Sequence, residues 1–267
     1  MFSNRVHTLF FVLLLSLMAG CAKTSIPDPR GLGPAPLKCS NPVDVLGYFE
    51  GTPYRGDAAV NRFGEFTLFA EPDVYLKEPG LNCSGFTVAA SRYYFARNFN
   101  LADTTLDRLA DSGPDSPYGE DWDFGYDLIL NVTEGLKRKP VLPFGQTAVI
   151  EDNNGMSLRG FELSDRAAWA DVIKQVTPGH VYLFSMSKPI KFKNYKLLHY
   201  HVGLIVPDDE GHIWLCHATR NSGVNKVDIS NPANLEPIIK ANPDSKLGPR
   251  KILIIEAPLL CRLNLKK

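Results

Sequence analysis

The chain carries no net charge, since 29 lysines and arginines balance 29 aspartates and glutamates. It has no long basic run either, and nothing in it predicts a nucleic-acid partner. No internal repeat is present, which excludes a repeat array. Its main apolar run, Leu9 to Met18, is too short for a comfortable membrane span. Histidine and cysteine follow no standard zinc spacing, so no metal is expected, and the chemistry argued below requires no cofactor. What remains is a chain of 267 residues, long enough for one domain with a generous insertion and a sizeable core.

Cysteine is scarce, at five residues, and one of the five stands out. Cys83 lies in Leu81-Asn82-Cys83-Ser84-Gly85-Phe86. Asn82 is a good N-cap, which predicts Cys83 at the first helical position, with a helix running to about Asn98. Phe86, Ala89, Ala90, Tyr93 and Arg97 recur at helical spacing and give a face that can pack on a sheet. Free N–H groups and the positive end of the helix dipole favour a thiolate there, and small Ser84 and Gly85 leave room for a substrate backbone. Taken alone, such a cysteine reads as a buried, inert thiol. Its context argues for a nucleophile.

That context is a histidine-bearing hairpin. Leu198 to Val206 reads as a strand, Pro207 to Gly211 as a turn, and His212 to Thr219 as the returning strand. A hairpin symmetric about Asp209 places His201 opposite His217 on one face, with Cys216 and His212 on the other. Thiol catalysis requires a base and a group that orients it, and these two histidines fill those roles. His199, two residues from His201, shares its face under simple alternation and is the rival base. His212 sits beside a turn in a solvated position, and His180 opens another strand.

The residues also resemble a family. Asn82-Cys83-Ser84-Gly85-Phe86 resembles the nucleophile motif of the NlpC family of bacterial cell-wall cysteine peptidases. His201-Val202-Gly203-Leu204 is similar to that family's base motif, and Cys216-His217-Ala218 to its third catalytic position. Gly51-Thr52-Pro53-Tyr54 and Thr177 to Phe184 resemble two further segments in the right order. The resemblance covers roughly Leu46 to Val224. It implies an α+β, papain-like fold with the nucleophile helix packed on an antiparallel sheet. It implies Cys83, His201 and His217 as the catalytic set, with Tyr54 and Ser84 beside substrate and oxyanion. It also implies hydrolysis of a stem-peptide amide between D-glutamate and a diamino acid. The chain departs from the pattern at Asn82, at Arg55-Gly56-Asp57 and at His180, and in a long insertion at about residues 100–145.

Other segments complete the reading. Arg5, the apolar run and Leu17-Met18-Ala19-Gly20-Cys21 resemble a bacterial lipoprotein signal, with Cys21 lipidated after loss of residues 1–20. This implies a lipid anchor in the cell envelope, in the outer membrane for a Gram-negative source, with the domain outside the cytoplasm. Ala22 to Pro36 is Pro- and Gly-rich and reads as part of a tether over residues 21–40, ahead of a domain at 41–267. Cys39 and Cys261, near the two ends of that domain, are candidates for a disulfide, which leaves Cys216 as a buried strand residue.

Asn41-Pro42 opens a short helix through Phe49, and Phe66 to Ala70 reads as a strand or a loop. Tyr118, Trp122, Phe124 and Tyr126 lie among acids in a loop and form either a cleft wall or that loop's own anchor. Gln146 to Glu151 reads as a strand, and Ser164 as the cap of a helix bearing Trp169, Val172, Ile173 and Val176. Val181–Met186 and Lys251–Ala257 complete the expected sheet. Two other classes fit the same residues: an idle envelope lipoprotein binding peptidoglycan or a partner protein, and a cysteine-dependent amidase or acyltransferase on another substrate.

Overall fold

A computed structural model describes residues 42–108, 123–147, 160–192 and 195–260. The segments expected to be a lipoprotein signal with Cys21 and a tether, together with Cys39, Cys261, Tyr118 and Trp122, lie outside the described residues.

The architecture is α+β. Helix α1 (Pro42–Phe49) leads into a two-stranded ribbon of β1 (Ala58–Val60) and β2 (Phe66–Leu68), followed by helix α2 (Cys83–Tyr94). Short α3 (Leu101–Thr104), α4 (Phe124–Val132) and strand β3 (Lys139–Pro140) come next, then β4 (Phe161–Glu162) and α5 (Arg166–Ile173). Four long antiparallel strands and a fifth shorter one follow: β5 (His180–Phe192), β6 (Tyr195–Pro207), β7 (Ile213–Thr219), β8 (Gly223–Asp228) and β9 (Lys251–Pro258). A 3-10 turn (Pro232–Leu235) and α6 (Glu236–Ala241) link β8 to β9. The sheet order is β3-β9-β5-β6-β7-β8, with β4 also paired to β9.

Alternation along these strands feeds two cores. Val181, Leu183, Leu204, Val206 and Cys216 face the core that contains α1, α2 and α4. Tyr182, Phe184, Met186, Ile205 and Leu215 face a second core with Trp169 and Val172 of α5. Both faces are covered, so the strands read as nearly continuous apolar runs. Among the described residues, no helix is long and apolar enough to cross a membrane.

Helix α2 is buried from Ser84 to Tyr94, with Phe49 of α1 against Phe86 and Tyr93 on one side. Burying a side chain such as Phe86 contributes roughly 1.5–3 kcal/mol. The helix ends four residues before the expected Asn98. Arg97 N–H donates to Arg92 O and Ala96 N–H to Tyr93 O, a Schellman closure around Ala96 at φ 49°. Alanine is an unusual residue for that left-handed position, so the stop carries no glycine signal. Arg97 therefore lies past the helix, bonded to the carbonyl of Glu134.

Three expectations shift here. The cap of α5 is Asp165, whose Oδ1 accepts from Ala167 N–H at 2.9 Å and Ala168 N–H at 3.0 Å, and Ser164 precedes it. Gln146 belongs to a turn, bonded to Pro143 O at 3.1 Å, and the rest of the strand expected through Glu151 lies mostly outside the described residues. The insertion contributes helix rather than only loop. Tyr126 is fully buried, and Phe124 packs on Phe69 with ring centroids 5.8 Å apart, so these two aromatics anchor the fold and form no cleft wall.

Candidate active site

Cys83 is the first residue of α2, as its cap predicts. Asn82 Oδ1 accepts the Gly85 N–H at 2.6 Å, which holds the helix start in place. Gly85 has a different role from the expected one. A Cβ at that position would lie 2.1 Å from the Ala58 carbonyl oxygen, so glycine lets β1 press against the helix start. It makes no room for substrate.

The Gly51-Thr52-Pro53-Tyr54 segment ties this helix start to the far side of the sheet. Leu81 N–H donates to Pro53 O at 3.0 Å and Arg55 N–H to Leu81 O at 3.2 Å. Gly51 N–H donates to Val224 O and Val224 N–H to Thr52 O, both at 2.8 Å. Gly223, at φ 65°, starts β8 so close to this clamp that a Cβ would lie 2.2 Å from Thr52 O. One backbone segment thereby sets Tyr54 and Cys83 against β8.

The histidines arrive by a route that differs from simple symmetry. Leu204 pairs with Cys216 and Pro207 with Ile213, so the hairpin is centred on Glu210 rather than Asp209. Asp208 explains the shift, because it folds into the turn. Its Oδ1 accepts from Glu210 N–H at 2.9 Å and from His212 N–H at 2.8 Å. The partner of each residue thus moves by two positions, which preserves the face. His201 and His217 become diagonal neighbours, and they meet: His201 Nε2 and His217 Nδ1 are 2.9 Å apart, sharing one proton. Both rings pack against Phe184, at centroid distances of 6.1 and 6.3 Å.

His199 does not share that face. Met186 pairs with His201 while Ser187 pairs with His199, so Tyr200 is the extra residue of a β-bulge. The bulge turns His199 into the core, where Nδ1 bonds Ser185 Oγ at 2.8 Å and the ring faces Tyr126. It also leaves Tyr200 beside His201, ring on ring at 6.5 Å. His199 is thereby removed as a rival base. His212 is exposed and bonded to Asp228 at 2.8 Å, and His180 sits near Thr177 and Glu256. Neither lines the cleft described next. Cys216 is a free, buried thiol facing the opposite core, as expected.

Cys83, Tyr54, His201 and His217 line one open cleft of about 520 Å³. Ser84 is buried next to it, its Oγ 4.0 Å from Cys83 Sγ. Two parts of the wall escaped the sequence reading. The end of β7 and the β7–β8 turn contribute Thr219 to Ser222, and α6 with its C-cap contributes Pro237, Ile238, Ala241 and Asn242. Available signals were Asn231-Pro232, a cap with a first-turn proline, and Glu236-Pro237 at the next helix start. Among the described residues, Asp208, Glu210 and His212 are close enough to hold a cation between them, but they lie on the turn and Asp208 is already bonded as above.

Burial governs the electrostatics. It pushes the Cys83 thiol up, against the opposing pull of the backbone amides of Val202 and Ser84 and of the Ser84 hydroxyl. The expected lowering by the helix start therefore does not prevail. Burial pulls His201 down to about 4. His217 falls to about 3, through burial and then the neighbouring His201. At neutral pH the site holds a neutral thiol and two neutral imidazoles. With Nε2 engaged by His217, the nitrogen of His201 left for a reacting group is Nδ1. Among the described residues the thiol makes no hydrogen bond to His201, so the two share the cleft without a preformed pair.

No protein-family model matches the chain, and neither a curated protein nor a solved structure matches it.

Proposed function

We propose that the chain is a papain-like cysteine peptidase of the NlpC type, an envelope lipoprotein held by lipid at Cys21, that hydrolyses an amide bond in peptidoglycan stem peptides. The observation that carries this reading is the His201–His217 bond of 2.9 Å inside the cleft that Cys83 enters from a helix start. An oriented imidazole beside a thiol in a substrate-sized cleft is the arrangement that acyl transfer needs. Cys83 attacks the amide carbonyl as His201 Nδ1 takes the thiol proton. His217 steadies the ring through Nε2 and shares the positive charge that develops. His201 then protonates the leaving amine and later deprotonates the water that releases the acyl group. The Cys83 N–H at the first helical position faces no helical partner and serves the oxyanion, with Tyr54 beside it.

Thiol and imidazole are both neutral at rest, so the proton moves in step with attack. Forming the ion pair in the cleft is uphill, because burial raises the thiol and lowers the imidazole. The same neutral, separated pair also favours a second reading, an idle lipoprotein that uses the cleft to bind peptidoglycan.

Purified peptidoglycan incubated with the domain lacking residues 1–21, beside its Cys83→Ala twin, separates the two. Stem-peptide fragments released by the parent alone, read by mass spectrometry, support the peptidase and locate the bond. No release, with both proteins sedimenting with the wall, moves the assignment to the binder.

A further inference from the structure

Among the described residues no acidic side chain lines the cleft, and its charged member is Arg220 on the β7–β8 turn. Arg220 is exposed and has no ion-pair partner among the described residues. Tyr200, in the bulge beside His201, gathers two more cations. Lys188 Nζ lies 5.5 Å and Arg250 Cζ 5.0 Å from the centre of its ring. The Arg250 side chain donates from Nε to Pro243 O at 3.0 Å and pairs with no carboxylate among the described residues. Burial and the Arg250 charge together hold the Lys188 ammonium below its ordinary value, a sign that the two cations repel.

Three acids on neighbouring segments have partners of their own. Glu236 pairs with Arg166 and with Lys240, Glu50 pairs with Lys226 at 2.9 Å, and Asp244 Oδ1 accepts the Arg250 N–H at 2.8 Å. The remaining polar wall, Asn221, Ser222, Asn225 and Asn242, is neutral. With an arginine as the charged lining residue among those described, the cleft favours an anionic group over a cationic one. An arginine with its planar fork unengaged suits a carboxylate, which it binds with two parallel hydrogen bonds.

We propose that the cleft takes an amide substrate bearing a free carboxylate, that Arg220 binds this carboxylate, and that Arg250 beside Tyr200 adds long-range attraction. The proposal rests on the peptidase reading for its choice of probe, and it names what that reading leaves open: the charge of the substrate and the residue that selects it.

The test uses an alanyl-γ-D-glutamyl-diamino acid tripeptide and versions amidated at one carboxylate at a time. Equilibrium binding is measured by calorimetry to Cys83→Ala protein, which does not turn substrate over, with and without Arg220→Gln. We expect the free acid to bind about tenfold tighter than one of the amidated forms, an effect of the size of one charge-assisted hydrogen bond. In the Arg220→Gln background that preference should collapse to about twofold, with affinity for the amidated form unchanged. The preference should also shrink as salt rises. Equal binding of acid and amides, a preference that survives loss of Arg220, or no binding of any form at millimolar concentration would overturn the proposal. The outcomes also separate the two readings. If the parent cleaves none of the peptides while the Arg220-dependent preference persists, the peptidase assignment falls and carboxylate recognition stands. Cleavage of all forms with equal affinity gives the converse.

Discussion

Two imidazoles held neutral, His217 buried and His201 half-buried, make the fold sensitive to acid. An unfolded histidine titrates near 6.5, whereas in the folded chain His201 lies at about 4 and His217 at about 3. Between these values the unfolded state binds protons that the native state refuses, so stability falls as pH drops below about 6.5. The contribution of each histidine is complete above its unfolded value and is progressively lost toward its folded one. At pH 5 each has lost about 2 kcal/mol, because its unfolded form is nearly fully charged and its folded form nearly neutral. The pair together gives about 4 kcal/mol, a large part of the 5–15 kcal/mol typical of a domain. His212 works in the opposite sense, because its bond to Asp228 raises its value, but it is fully solvated and screened. Urea unfolding followed by circular dichroism at pH 7.5, 6.5, 5.5 and 5.0 measures the effect. The parent should lose stability steadily over this range, and His217→Gln should lose about 2 kcal/mol less. A parent whose stability is flat or rises toward pH 5 would refute the neutral pair.

Other consequences follow from the same geometry. Alkylation of Cys83 by iodoacetamide should rise about tenfold per pH unit from pH 6 to 8, because burial raises the thiol and reactivity follows thiolate; a rate already level by pH 6 would mean a preformed thiolate–imidazolium pair. Gly85→Ala should cost about 3 kcal/mol, since its Cβ would meet the Ala58 backbone at 2.1 Å, and thermal unfolding should show it. A melting temperature within a degree or two of the parent would contradict that contact. His217→Asn should keep part of the activity that His201→Ala abolishes, because an amide can still hold the Nε2 side of the base. Equal loss in the two variants would place His217 in more than an orienting role.

Much of the site was legible because its parts are local. Asn82 and Cys83 announce a helix start by capping alone, and the parity of the hairpin placed His201 and His217 on one face although the register itself was two residues out. What failed was also local but silent. The turn residue Asp208 took part in its own loop and moved the hairpin centre. The bulge at Tyr200 reversed His199, and no glycine or proline marks that position. The end of α2 was overestimated because an alanine occupies the left-handed closing position. The burial that lifts the Cys83 thiol comes from tertiary packing, which capping and dipole arguments cannot count. The cleft wall from α6 and the β7–β8 turn assembles from segments distant in sequence from Cys83, so spacing arguments did not reach it. At the coarse level the α+β class followed directly from the order of helical and strand patterns, although β1 and β2 precede helix α2.

Rapid-quench intact-mass measurement with a stem-peptide substrate tests the central claim most directly. The account predicts a transient acyl adduct that maps to Cys83, forms in the parent, decays as product appears, and is absent in His201→Ala. Product formed without an adduct on Cys83, or an adduct that forms equally fast without His201, would contradict it.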